Sequence, residues 1–343
     1  MTTNLWGNNT TLFFFELSPD LILDTVEKIG LKTTGRVLTM NSMENRVYEV
    51  EIDSDSDNPS DHSVIIKFYR PGRWSREQIK EEHEFLLDLE EFEIPVVAPL
   101  SFNEETVFKL DNLDIYYALF PKKGGRAPDE FNFEEIEQVG RLLARLHNVG
   151  SMKKATHRLK ISADTYVLSN LNYLVDQKIL PGHQEQIYKS LLEQIYSLTK
   201  NAFNNVNFIR LHGDCHLGNI LRRGDHFNMI DFDDMVSGPA IQDLWLLLPG
   251  RDDYAENLRS RFLEAYSSMR DFNFEELRLT EVLRTFRMIN YSAWISKRYD
   301  DPAFKAAFSF FEQPTYWETQ ISDLREQVYL LENLSRPTYL YED

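Results

Sequence analysis

The chain has 343 residues, 42% apolar and 27% charged. That composition belongs to a globular protein long enough for a large core, in two lobes or domains. The formal net charge of −18 and pI near 4.9 argue against nucleic acid or an anionic membrane as main partner, while leaving room for a local basic pocket for phosphates.

The single cysteine, Cys215, excludes an intrachain disulfide and suits a reducing cytosol. Residues 1–11 lack a basic leader, and Leu12-Phe13-Phe14-Phe15 is too short for a signal core before Glu16. No run approaches the ~18 apolar residues of a membrane span. A cytoplasmic protein is expected, monomeric and without membrane or nucleic-acid partners.

Ser18-Pro19-Asp20 opens a helix to about Lys28, with Ser18 as N-cap, Pro19 at the first helical position and Gly30 as stop. Arg36 to Met40 and Arg46 to Ile52 read as strands around a polar turn, Asn41 to Asn45. Asp53 to Ser63 is an acidic, Ser-rich, Pro-broken loop; its composition resembles a phosphoacceptor site, but a solvated loop is expected. Val64 to Tyr69 is a β-branched strand carrying one lysine, Lys67. Trp74 to Leu89 is helical, residues 94–99 are extended by their prolines, and Thr106–Leu110 and Ile115–Phe120 are two more strands. Pro121-Lys122-Lys123-Gly124-Gly125-Arg126 is a break, and a lobe boundary is expected at 121/122. Beyond it the patterns turn helical: 133–148, 164–174, 184–200, 242–248, 254–269, 274–298 and 316–333. Strands followed by helices indicate α+β.

Two runs carry the chemistry: His212-Gly213-Asp214-Cys215-His216-Leu217-Gly218-Asn219 and Ile230-Asp231-Phe232-Asp233-Asp234. Between them a hairpin is predicted, Ile220–Arg223 and Phe227–Ile230, turning at Gly224-Asp225. An Asp, an Asn five residues on, and an Asp after a hairpin form the layout of a kinase catalytic loop and metal site. Asp214 is the candidate base; Asn219 and Asp231 are candidate ligands for Mg²⁺ against ATP phosphates. A strand lysine with a helix glutamate is the usual phosphate clamp, here Lys67 with Glu82, Glu81 and Glu84 being competitors. The alternative is a Lys67 pointing outward on an edge strand.

A zinc or iron site at 212–216 is disfavoured by its tight spacing and the lack of a second cysteine. His212 and His216 are expected to orient the loop. Cys215 is either a small buried residue or an oxidation-sensitive switch. Asp233 and Asp234 either assist a second Mg²⁺ or are solvated loop charges, the second being expected. Asp243 caps its helix or braces the catalytic loop.

His-Gly-Asp-x-His-x-x-Asn, then Ile230-Asp231-Phe232-Asp233-Asp234, then Asp243-Leu244, resembles the aminoglycoside phosphotransferase and choline kinase superfamily, a protein-kinase-like fold. Within it, the flanking runs resemble the bacterial stress response kinases: Asn41-Ser42-x-Glu44-Asn45-Arg46-Val47-Tyr48, Lys67-Phe68-Tyr69-Arg70-Pro71, Glu81-Glu82-His83 and Gly238-Pro239-Ala240-x-Gln242-Asp243-Leu244-Trp245. The likeness runs from about residue 18 past Trp317. It implies a bilobal fold with a β-rich N-lobe and a helical C-lobe. It also implies an ATP- and Mg²⁺-dependent kinase acting on Ser and Thr of proteins, itself included. Asp214 is then the proton acceptor, Asn219 and Asp231 the metal ligands with Asp231 also catalytic, and Ser42 a contact to ATP.

The chain departs from ordinary protein kinases in three ways: the 41–46 turn has no glycine, Gly213 stands where an arginine is common, and no long activation segment separates Asp231 from Asp243. These departures imply constitutive activity or control by expression level. A second reading is a small-molecule kinase of the same fold, acting on choline, homoserine or an aminoglycoside. A third is a catalytically silent binding module, against which the intact Lys67, Asp214, Asn219 and Asp231 argue.

Overall fold

The computed structural model describes residue 14 and residues 17–111 and 113–333. The leader reading of residues 1–13 lies outside the described residues. Packing divides the described chain into two compact units, one of residues 14–158 with 208–272, the other of 159–207 with 273–333.

The first unit opens with α1 (Pro19–Lys28), whose N-cap Ser18 Oγ accepts from the Leu21 N–H at 3.2 Å, as Ser before Pro at N1 dictates. Five antiparallel strands follow: β1 (Thr33–Met40), β2 (Arg46–Ile52), β3 (Ser63–Phe68), β4 (Phe108–Lys109) and β5 (Tyr116–Pro121), in the order β1-β2-β3-β5-β4. β3 is therefore the central strand. Val64, Ile66 and Phe68 enter an apolar cluster with Ile22 and Val26 of α1; the two-residue alternation of a strand sends Ile65 and Lys67 to the opposite face.

α2 (Arg76–Glu91) is held at its start by a Ser75/Gln78 capping box and α3 (Phe133–Met152) by Asn132/Glu135. Then come β6 (Ile209–Leu211), the hairpin of β7 (Ile220–Arg223) and β8 (His226–Met229), and β9 (Val236–Gly238). Two helices close the unit, α6 (Ile241–Leu247) and α7 (Asp253–Ser267), the latter packed on α3. A Cβ on Gly140 of α3 would sit 2.7 Å from the Phe262 carbonyl oxygen of α7, so only glycine permits this approach.

The second unit is helical: a π turn Asp164–Leu168 leading into α4 (Ser169–Asp176), α5 (Gly182–Thr199), a 3-10 turn Phe274–Leu279 leading into α8 (Thr280–Ser296), α9 (Pro302–Ala307) and α10 (Pro314–Asn333). α10 packs on α5 and α8.

The α+β expectation holds, with a sheet-rich N-terminal region and a helical C-terminal part. The strand expected at 106–110 shrinks to β4: Thr106 Oγ1 is taken by His83 at 2.8 Å, and the Leu110 N–H turns back to the Ile115 carbonyl at 3.0 Å. β6, β9 and α9 are too short to leave a periodic signature. Among the described residues no helix is long and apolar enough to cross a membrane.

Candidate active site

All the candidate residues belong to the first unit. Asp214 lies in the loop leaving β6. Asp243 shapes that loop from beneath, its fully buried carboxylate accepting the N–H of His212 at 2.9 Å and of Gly213 at 2.8 Å. Its third partner is His147 Nε2 at 3.2 Å, and His147 Nδ1 accepts from the Tyr266 hydroxyl at 2.8 Å. Burial lowers the pKa of His147, so it is a neutral donor to the carboxylate. Asp243 thus braces the catalytic loop; α6 has no side-chain cap.

The two loop histidines orient, as expected. His212 Nε2 donates to the Ile230 carbonyl at 2.9 Å, and its Nδ1 accepts the Asp214 N–H at 3.3 Å. His216 Nδ1 accepts the Gly218 N–H at 3.0 Å, which turns Nε2 toward Asp214 Oδ2 at 3.4 Å. Cys215 is fully buried, and burial pushes its thiol well above the usual value. It is the small buried residue rather than the switch.

Asn219 and Asp231 sit at the two feet of the β7–β8 hairpin, tied by the Ile230 N–H to the Asn219 carbonyl at 3.0 Å. Asn219 Nδ2 donates to the Asp214 carbonyl at 3.0 Å, which leaves Oδ1 as the available atom. Asp231 is left-handed at φ 60°, a conformation Asp tolerates better than most residues, and its side chain is half exposed. The following ring, Phe232, lies between His212 and Phe85, with centroids 4.4 and 5.9 Å away. This buried ring fixes the 231–234 turn against α2.

Lys67 points inward. It is 7% exposed, and its Nζ lies 3.3 Å from Asp231 Oδ1, 3.3 Å from Asp233 Oδ1 and 3.8 Å from Glu82 Oε1. The outward edge-strand alternative is overturned because β3 is central. Burial opposes the ammonium, but Asp233, Asp231 and Glu82 outweigh it and hold its pKa well above the ordinary lysine value. Glu82 is the partner among the three glutamates. Glu81 instead accepts the N–H groups of Thr156, His157 and Arg158 at 2.5, 2.9 and 2.5 Å, and Glu84 is exposed.

Asp233 corrects the expectation of a solvated charge: it is 3% exposed and is bound by Arg73 as well as Lys67. Asp234 is not a free loop charge either, since Arg73 Nη2 meets it at 2.6 Å. Arg158 joins the cluster, donating to Glu82 Oε2 at 2.5 Å and to the Asp233 carbonyl at 2.6 Å. Both guanidiniums lie over the Trp74 indole, Arg73 at 4.9 Å and Arg158 at 4.4 Å from the ring centroid. Sequence reasoning missed Arg73 and Arg158. Arg73 follows the quoted Lys67–Pro71 run closely, and that proximity was the available signal; Arg158 lies in an irregular connection that offers none.

Ser42 caps the glycine-free turn between β1 and β2, its Oγ accepting the Asn45 N–H at 3.3 Å. Arg70 props the same turn, donating to the Glu44 and Met43 carbonyls at 2.8 and 3.2 Å. Glu44 reaches Arg73 Nη1 at 3.6 Å, and Arg73 binds Asp233 and Asp234, so the turn is wired to the 231–234 segment.

Among the described residues no cluster of three or more His, Cys, Asp or Glu can hold a metal alone. One carboxylate and one amide oxygen fit a hard divalent cation whose remaining ligands are phosphate oxygens and water.

The model of the phosphotransferase enzyme family matches residues 39–280. Stress response kinase A of Escherichia coli O157:H7 is 37% identical over 326 residues, covering 95% of this chain and 97% of that one. Serine/threonine protein kinase RdoA of Salmonella typhimurium is 37% identical over 325 residues, covering 94% and 96%. Among solved structures, amicoumacin kinase hAmiN in complex with AMP-PNP, Ca²⁺ and Ami superposes with a TM-score of 0.71 at 16% identity, covering 94% and 97%; that likeness speaks for the fold. The chain belongs to the phosphotransferase enzyme family and is an ATP-dependent phosphotransferase.

Proposed function

We propose that this phosphotransferase moves the γ-phosphoryl group of Mg²⁺-ATP onto serine and threonine hydroxyls of proteins, itself included, as a cytoplasmic kinase of the stress response. The 37% identity with relatives so named, across nearly their whole length, carries this reading.

In this reading residues 1–121 grip the nucleotide and residues 122–343 supply base, metal ligands and acceptor site. Lys67, held by Glu82, would neutralise the nucleotide phosphates, and Ser42 would contribute its hydroxyl from the turn. Asn219 Oδ1 and the Asp231 carboxylate would hold Mg²⁺, which would neutralise phosphate charge when bound. Asp214 takes the proton of the attacking hydroxyl, a role worth about 10²–10⁴ in rate, with His216 Nε2 keeping the carboxylate aimed.

A second reading, phosphorylation of a small-molecule hydroxyl, is favoured by the fold likeness to an amicoumacin kinase. The binding-module reading is set aside by membership of an enzyme family. Incubation with γ-labelled ATP and Mg²⁺ separates the first two. Label on the protein itself, lost in Asp214→Asn, supports the first; label only on added alcohols replaces it with the second.

A further inference from the structure

Two adjoining cavities open beside the β7–β8 turn. The larger, about 860 Å³, is lined among others by Lys123, Arg141, Arg145 and Arg223. The smaller, about 510 Å³, shares Gly124 and Arg223 with it and adds Arg126 and Arg222. None of the residues assigned above to phosphoryl transfer lines either one.

These cations are unevenly satisfied. Arg222 is engaged by Glu135, and Arg145 gives an N–H to the Glu93 carbonyl at 3.1 Å. Lys123, Arg126, Arg141 and Arg223 form no ion pair among the described residues, and Asp225 is the one carboxylate in the lining. Some exposed cations elsewhere in this acidic chain find carboxylates, as Lys28 does with Asp111 at 3.0 Å and Arg261 with Glu137 at 3.0 Å.

The walls are fixed before any ligand arrives. Arg126 and Arg222 exchange backbone hydrogen bonds of 3.0 and 2.8 Å, and the Met229 N–H donates to the Pro95 carbonyl at 2.9 Å. A Cβ on Gly125 would meet Leu221 Cβ at 2.9 Å, so the linker lies directly on β7. Pro95, Leu142, Phe227 and Met269 add apolar surface to the same lining.

Unneutralised cations along a preformed, partly apolar groove select a ligand with several negative charges and some apolar surface. A long polyanion such as nucleic acid would meet the field of a chain carrying −18. A short segment feels chiefly the charges within about 8 Å at physiological salt. We propose that this groove docks a short acidic peptide segment of a partner protein. Its carboxylates would lie against Arg126, Arg141 and Arg223, and an apolar side chain between Leu142 and Phe227. The inference is independent of which hydroxyl the enzyme phosphorylates.

The test is fluorescence anisotropy on the full chain, with a short fluorescein-labelled peptide of Glu and Asp carrying one Phe. Saturable binding is expected, weakening steeply with added NaCl. It should fall at least about tenfold in Arg141→Glu/Arg223→Glu, a loss in the range for interfacial charge pairs, with the rate of phosphoryl transfer unchanged. The single variant Arg141→Gln, expected to weaken binding in the same direction, serves if the double variant does not fold. Absence of binding, binding indifferent to these substitutions, or equally tight binding of the Gln/Asn version of the peptide would each overturn the proposal. So would an oligonucleotide of matched charge that binds as tightly as the peptide.

Discussion

Alanine at position 213 should nearly silence the enzyme without stripping its nucleotide grip. Gly213 has φ +87°, and a Cβ built on it stands 2.0 Å from the Asp234 carbonyl oxygen and 3.2 Å from Val236 Cγ1. An L-residue in the left-handed region costs about 1–2 kcal/mol, and the contact must open by about 1 Å before close packing is restored. Gly213 cannot yield alone, because its N–H is held by Asp243 at 2.8 Å and its carbonyl by Gln242 at 3.0 Å. The displacement therefore falls on Asp214 or on the 231–234 turn. A shift of about 1 Å in a reacting group can cost about 100-fold, so Gly213→Ala should lower kcat by about that factor and destabilise the fold by about 2–3 kcal/mol. Gly224, in the hairpin turn, is the control: φ is +61° and nothing lies within 4 Å of a built Cβ. Gly224→Ala should show only the conformational cost of about 1–2 kcal/mol, with kcat unchanged. Steady-state kinetics, calorimetric titration with a non-hydrolysable ATP analogue and urea unfolding on both variants give the comparison. A Gly213→Ala enzyme turning over at the parental rate, or equal losses in both variants, would refute the reasoning.

Lys67→Met removes the cation faced by Glu82, Asp231 and Asp233; kcat/KM should fall by about 100-fold or more, and a loss under tenfold would remove Lys67 from the site. Burial first, then the charges of Lys67 and Arg158, hold His83 down at about 3, against about 6.5 unfolded. The unfolded chain therefore binds a proton that the folded chain refuses. Stability falls as pH drops through the window from about 6.5 toward 3, by about 2 kcal/mol at pH near 5 from this residue. Urea titrations of His83→Gln should lack that part of the slope, and a slope equal to the parent's would count against it. Cys215, buried with its thiol pKa pushed up, should resist iodoacetamide until the protein is unfolded; rapid alkylation of the native enzyme would contradict this.

The readable features were those whose cause lies close by in the chain. Ser18 before Pro19 announces α1, and the β-branched apolar run around Lys67 announces β3. The Asp214–Asn219–Asp231 spacing could be read because one hairpin joins those residues. What stayed hidden depends on convergence of distant segments. Asp233 reads as a solvated charge because nothing local shows that Lys67 and Arg73 close over it. Asp243 had two readings until the bonds to His212 and Gly213 chose between them. The inward face of Lys67 follows from β3 being central, and that depends on β5, which arrives long after it in the chain.

β6 and β9 pair as Ile209↔Gly238, Arg210↔Ser237 and Leu211↔Val236. Asp214 follows the first of these strands and Asp231 precedes the second, while the Ile230–Asn219 bond ties the start of the 231–234 turn to the hairpin. Asp214 and Asp231, the proposed base and metal ligand, are thus rooted in a common ladder, and the backbone sets the distance between them.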